Sequence, residues 1–202
     1  MNAGTTCSLT FDDGPDPVWT PRVLDCLGRH QARSTFFVMA DRAWAHADLI
    51  ERIHREGHEV ELHCMRHVRH TELQEPALRA DTEQGLRTLA RLGARVRRWR
   101  PPWGVVTEVT RRVARENQLE VVGWSVDTED WRGDSAAWMH DRVEDDLGAG
   151  AVVLMHDGIG PGARRAGCRE TVELIPRLLA TLADRGLALV PLSENAGYAS
   201  LA

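Results

Sequence analysis

Cys7-Ser8-Leu9-Thr10-Phe11-Asp12-Asp13-Gly14-Pro15 is an apolar run that ends in two adjacent carboxylates and a Gly-Pro break. The run reads as a buried strand, and Gly14-Pro15 as its stop. Two like charges at the mouth of such a strand repel each other, and burying them unpaired costs on the order of several kcal/mol. A cation removes that penalty, so the pair suggests one carboxylate on a metal and its neighbour free for proton transfer. A solvated Asp-Asp-Gly turn is the plain alternative, and the stretch alone does not separate the two.

Outward from this point the same unit recurs: strand, loop, helix. Thr20-Pro21 starts a helix with Val23, Leu24 and Leu27 inward, and Ser34-Thr35-Phe36-Phe37-Val38 is a strand by its β-branched and aromatic content. Residues 47–56 read as a helix stopped by Gly57, and 59–62 as a strand ending at His63. A helix over 76–92 closes at Gly93, and a strand over 96–99 ends at Arg100-Pro101-Pro102. The pattern continues with helix 108–116, strand 119–124, helix 136–147, strand 151–155, helix 172–185 and strand 187–190. About seven βα units without an internal break imply a parallel sheet, either doubly wound or closed into a barrel.

Polar residues track the strand ends. Asp12-Asp13, His63, Arg100, Asp127 to Asp130 and His156 each follow an expected strand. In parallel barrels the strand C-termini share one face, where active sites are built, so these residues are expected to converge.

The totals exclude several chemistries. With 202 residues, a net charge of -5 and a pI near 6.0, nothing draws the chain to nucleic acid or anionic membranes. All 25 basic residues are Arg, which rules out a Schiff-base lysine, a P-loop lysine and a Ser-Lys dyad. Cys7, Cys26, Cys64 and Cys168 are scattered and suggest neither a zinc knuckle nor a disulfide framework. No apolar run approaches the ~18 residues of a membrane span. The first six residues have neither a basic start nor an apolar signal core, so the chain as written is expected in the cytoplasm, or secreted if it is a trimmed catalytic domain.

The remaining motifs are each weak alone. His63-Cys64-Met65-Arg66-His67 sets two imidazoles four apart, on one face if the segment is helical, a spacing that suits two ligands to one zinc-like ion. With a strand-end Asp13 the set becomes two His and one carboxylate, as a hydrolytic metal needs. Non-haem iron oxygenases use the same set, though nothing marks a second substrate site. Arg100-Pro101-Pro102-Trp103-Gly104 is a stiff turn carrying an Arg that either lies at the surface or keeps a carboxylate ionised. Trp124 to Trp131 is acidic and aromatic together, as a sugar site requires, and His156 in Leu154-Met155-His156-Asp157-Gly158 is placed as a general acid if a carboxylate charges it.

In this order the five stretches resemble the motifs of the carbohydrate esterase family 4 polysaccharide deacetylases, the NodB-homology domain. They are Thr10 to Pro15, His63-x-x-x-His67, Arg100 to Gly104, Asp127-Thr128-Glu129-Asp130-Trp131, and Leu154 to Asp157. The resemblance runs from about Cys7 to Asn195. It implies an α/β chain folded as the family's irregular (β/α)7 barrel, TIM-like, with residues 1–202 a single domain. Asp13, His63 and His67 would hold a divalent metal, zinc in most of the family, with Co2+ or Ni2+ also serving. Asp12 would be the base for the attacking water, tuned by Arg100, and His156 supported by Asp130 would protonate the leaving amine. Trp103 would offer its backbone N–H to the oxyanion, and Trp131 and Leu154 would line the acetyl pocket. The expected substrate is an acetylated glycan or amino sugar, such as a chitin oligomer or peptidoglycan, acted on by a monomer. A small intracellular acetylated metabolite, O-acetylated xylan, and a catalytically silent binding protein are the alternatives. Two departures stand out: Cys64 replaces the family's Ser or Thr, which leaves the loop's rigidity open, and Trp103 replaces Tyr. His70 stands where the family tends to be apolar, and reads as a satisfied loop histidine or a substrate-facing residue.

Overall fold

A computed structural model describes residues 5–198 of the chain. Its core is a curled parallel sheet in the order β5-β4-β3-β2-β1-β7-β6, with β8 paired to the start of β1. The strands are β1 (Thr6–Asp12), β2 (Thr35–Met39), β3 (Glu59–Cys64), β4 (Arg98–Trp99), β5 (Glu120–Val121), β6 (Val126–Asp127), β7 (Val152–His156) and β8 (Ala188–Leu189). Around them pack α1 (Trp19–Arg29), α2 (Ala40–Ala45), α3 (Ala47–Arg55), α4 (Glu75–Arg91), α5 (Glu108–Glu116), α6 (Ala136–Val143) and α7 (Arg169–Asp184).

β1 is buried along its whole length although Cys7, Leu9 and Phe11 alternate with Thr6, Ser8 and Thr10, because a parallel strand covered on both faces has no wet side. Leu9 and Phe11 enter the main core, where Phe11 stacks on Phe36 at 5.1 Å. The hydroxyls on the same strand are satisfied internally, Ser8 Oγ by Val190 O at 2.9 Å and Thr10 Oγ1 by Val153 O at 2.7 Å. Buried hydroxyls without partners would each cost about 1–3 kcal/mol, so these bonds let polar residues sit in a core strand.

The barrel is irregular because the ladder does not close. The single strand expected over 119–124 is two: β5 pairs with β4 and β6 pairs with β7, at opposite ends of the sheet path. Residues 122–125 carry the chain from one edge to the other. Val122 N still donates to Trp99 O, whereas Ser125 N already donates to Val152 O. Eight short strands therefore stand where seven were expected.

Two other local expectations change. The segment holding His63 and His67 is not helical: His63 lies inside β3 and His67 in the irregular chain beyond it. Helix α1 begins at Trp19, and its first N–H groups are capped by Asp16, whose Oδ1 accepts from Val18 N and Trp19 N. Thr20, at the expected helix start, turns its hydroxyl to Asp157 Oδ2 at 2.5 Å. Among the described residues no helix is long and apolar enough to cross a membrane.

Helix α4 lies close against β3, where Gly85 sits over Leu62; a Cβ on Gly85 would come within 2.8 Å of Leu62 Cδ1. Leu62 is fully buried and pairs with Trp99 across the sheet. Leu62→Ala is expected to cost about 2–5 kcal/mol, read as a lower urea midpoint at unchanged slope. A loss under about 1 kcal/mol would contradict this packing.

Candidate active site

Register builds the centre of the site. β1 and β7 are parallel neighbours with Asp12 opposite His156, Phe11 opposite Met155 and Thr10 opposite Leu154. Side chains directly opposite each other in a sheet share a face, so Asp12 and His156 emerge side by side at the strand ends. Asp127 pairs with Leu154 on the far side of β7 and joins the same rim.

Asp12 is held by a buried cation. Arg100 is wholly buried, and its Nη1 donates to Asp12 Oδ1 at 2.8 Å and to Thr10 Oγ1 at 2.8 Å. Its Nη2 donates to Gly123 O at 2.9 Å, and the guanidinium lies 4.1 Å over the Phe37 ring. Of the two readings of Arg100, the surface one is therefore excluded. The Arg occupies one carboxylate oxygen, and Asp12 borders the cavity beyond.

Asp13 faces the two histidines. Its Oδ1 lies 3.4 Å from His63 Nε2 and 3.2 Å from His67 Nε2, and donor atoms of the three residues all fall within 4.8 Å of one another. His63 gets there through a β-bulge: Val38 pairs with Leu62 but Met39 pairs with Cys64, so His63 is the extra residue. A bulge re-aims a side chain that strict alternation would turn away. His63 Nδ1 donates to Arg100 O at 2.6 Å, which leaves Nε2 as a lone-pair donor toward Asp13.

The donor set fits a divalent cation. Asp13 Oδ1 and His67 Nδ1 are both buried without a hydrogen-bond partner. Burial alone would raise the Asp13 carboxyl, but the imidazoles of His63 and His67 close beside it, with charge from His63 and His156, outweigh it and hold it well below its ordinary value. Burial likewise works against a charged His63, yet Asp12 and Asp13 raise its affinity for a proton. The cluster thus attracts positive charge, and two imidazoles with one carboxylate are a usual set for a hydrolytic zinc-type ion.

His156 is fixed from below. Its Nδ1 donates to Asp130 Oδ1 at 2.7 Å and its backbone N to Asp130 Oδ2 at 3.0 Å. Asp130 also accepts from Arg165 Nη1 at 2.8 Å and Thr171 Oγ1 at 2.6 Å. Burial disfavours a charged imidazole, but Asp130 outweighs it and pushes His156 up to about 9. Asp130 in turn stays ionised, its carboxyl lowered against the effect of burial by His156 and Arg165.

Asp12, Asp13, His63, His67 and His156 line one cavity of about 390 Å³, together with Trp103, Trp124, Trp131 and Leu154. The turn at Trp103 is left-handed (φ 55°), and Gly104 follows in the same region (φ 66°), where a Cβ would come within 2.6 Å of the Trp124 ring. Trp103 meets the His67 ring edge-on at 4.2 Å. Of the ten residues to which the resemblance gives a role, eight line this cavity, and Arg100 and Asp130 stand behind it on Asp12 and His156.

His70 stands apart. Its Nδ1 pairs with Thr110 Oγ1 at 2.9 Å, its ring packs on Trp99, and burial lowers it to about 4. It is a satisfied loop histidine. Cys64 is buried, its thiol pushed well above its ordinary value by burial, and it is outside the ligand cluster. The loop it precedes is steadied from α4, where Asp81 accepts from Met65 N and Arg66 N, each at 3.0 Å. Arg165, Thr171 and Arg42 were not legible. Arg165 is one Arg among 25, and no spacing marks the others.

Residues 2–122 match the polysaccharide deacetylase family. The chain is 31% identical over 193 residues to a peptidoglycan-N-acetylglucosamine deacetylase of Bacillus cereus, covering 95% of this chain and 88% of that one. It is 35% identical over 196 residues to a chitooligosaccharide deacetylase of Sinorhizobium fredii, covering 93% and 90%. Its fold superposes on a family 4 carbohydrate esterase from Streptomyces lividans, solved in complex with acetate, with TM-score 0.82 and 30% identity over 92% of this chain and 91% of that one.

The metal-free protein is expected to take up zinc in equilibrium dialysis, and His63→Ala to bind it at least about 100-fold more weakly, at or beyond the ~10–100-fold typical of losing only a supporting contact. Full zinc occupancy in that variant would remove His63 from the ligand set.

Proposed function

The chain belongs to the polysaccharide deacetylase family, hydrolases of carbon–nitrogen bonds other than peptide bonds, and we propose that it is a metal-dependent N-deacetylase of N-acetylated amino sugars in glycans. The observation that carries this reading is the meeting, in one cavity, of an Arg-held carboxylate, an Asp-held imidazole and a two-His, one-Asp cluster. A binding module would need neither the base nor the acid. The names of the relatives favour glycan N-acetyl groups over a small metabolite or an O-acetyl ester.

Asp13, His63 and His67 would hold the divalent cation, which when bound supplies a Lewis acid that polarises the amide carbonyl and acidifies water. The chain's own residues do the rest. Asp12 accepts the proton of the attacking water. Arg100 keeps Oδ1 in place, which leaves Oδ2 for the proton. The backbone N–H of Trp103 would donate to the developing oxyanion. His156, protonated because Asp130 charges it, carries its transferable proton at Nε2, since Nδ1 is committed to Asp130. That proton goes to the amine as the carbon–nitrogen bond breaks. Trp131 and Leu154 bound the space for the acetyl methyl, and the Trp faces suit a pyranose ring.

Zinc-loaded protein is expected to release acetate from N-acetylglucosamine oligomers and not from acetylated xylan. Asp12→Asn should lower the rate by about 10²–10⁴-fold, the usual contribution of a positioned base, with zinc uptake unchanged. Wild-type rates in that variant would refute the base assignment, and release from xylan alone would replace the amide substrate with an ester.

The acid gives a second handle. His156 sits near 9, above its ordinary 6.5, so its proton is present below that pH and lost as pH rises through about 9. The rate is expected to fall on the alkaline side near pH 9. In Asp130→Asn, which removes the charge that raises His156, that limb should move to lower pH. A limb that does not move would show that another group sets it.

A further inference from the structure

Asp13 adopts a left-handed backbone (φ 71°) although it carries a side chain, a conformation that persists only where its surroundings impose it. The surroundings are specific. Arg42, in the short helix α2, donates from Nη1 to Asp13 O at 2.8 Å and from Nη2 to Ile159 O at 2.9 Å. One planar guanidinium thus ties the turn after β1 to the loop after β7.

That loop then lies directly on Asp13. A Cβ on Gly158 would come within 2.6 Å of Asp13 O and 2.9 Å of Arg42 Nη1. A Cβ on Gly160 would come within 2.0 Å of Asp13 Oδ2. Neither glycine has a positive φ, so what excludes a larger residue there is proximity and not backbone conformation. The two carboxylate oxygens are therefore in different places: Oδ1 faces the Nε2 atoms of His63 and His67, and Oδ2 is stopped against Gly160.

We propose that Arg42 and the Gly158-Ile159-Gly160 run are positioning residues for Asp13, which clamp its backbone and turn Oδ1 alone toward the two imidazoles. The inference rests on Asp13 being a metal ligand. It gives a task to α2 and to the glycines beyond His156, none of which touches a reacting atom. A guanidinium suits the task because it reaches two carbonyls with one rigid fork, where an ammonium would act from a single point.

The test is zinc affinity of the metal-free full chain, titrated against a chromophoric chelator, with the visible spectrum of the cobalt-loaded protein as a second readout. Gly160→Ala is expected to weaken zinc binding by about 10–100-fold, the range for supporting contacts of metal ligands, and to alter the cobalt bands. Arg42→Gln should weaken binding in the same direction, and Arg42→Lys should recover part of the loss. Gly28→Ala, where a Cβ meets nothing within 4 Å, should bind as wild type. Circular dichroism and the thermal midpoint establish that each variant is folded. Arg42→Gln, which adds no atom to the close contact, carries the measurement if Gly160→Ala does not fold. Wild-type zinc affinity and unchanged cobalt bands in the folded variants would overturn the clamp and leave Asp13 as a ligand. Equal zinc binding by wild type and Asp13→Ala would overturn the ligand reading, and the clamp with it.

Discussion

The buried ion pair between Arg100 and Asp12 is the constraint around which the site end of this barrel is arranged. A guanidinium with no solvent exposure must find partners for its protons inside the protein. It finds Asp12 and Thr10 on β1, and Gly123 on the chain that crosses from β5 to β6. The crossing segment thus has a role beyond connection: it brings a carbonyl to Nη2 of a cation whose Nε is buried without a partner. Removing one partner of such a pair typically costs about 3–5 kcal/mol. The contact that ties β1 to the crossing chain is also the one that holds one oxygen of the proposed base in place.

Around that pair the acidic residues are divided among separate partners. Asp12 goes to Arg100, Asp13 to the two imidazoles, and Asp130 to His156, Arg165 and Thr171. The division resolves the repulsion that two adjacent carboxylates would otherwise suffer. It also sets the chemistry. Asp13 offers an orphaned oxygen beside two imidazoles, where a cation satisfies all three groups. Asp130 instead charges an imidazole from below, so that the proton it retains lies at the cavity. The proposed acid and base, His156 and Asp12, end up on opposed positions of two neighbouring strands, β7 and β1, and need no loop to bring them together.

The sequence carried much of this. Leu9 and Phe11 beside Asp12-Asp13 marked a strand and its end, and a polar residue after each apolar run marked one rim of a parallel barrel. What it hid was mostly geometric. His63 is aimed by a bulge, and a bulge is a mismatch between two strands that neither strand's sequence displays. The two strands in place of one at 120–127 follow from which edge each part pairs with, again a property of neighbours. Arg165 and Arg42 lay hidden because in a chain whose every basic residue is Arg, a functional Arg has no distinguishing signal.

By itself, then, the sequence determined the parallel α/β architecture, the rim of strand-end residues, and the five stretches that resemble those of a deacetylase family. Those features live in composition, period and local spacing, which one strand or one loop expresses alone. Only the tertiary structure decided that Arg100 is buried on Asp12, that His63 and His67 meet Asp13 without a helix, that His70 and Cys64 stand aside, and that Arg42 and Gly160 press on Asp13. Each of these depends on distances between segments far apart in the chain, and such distances are set by packing and register, which no single segment encodes.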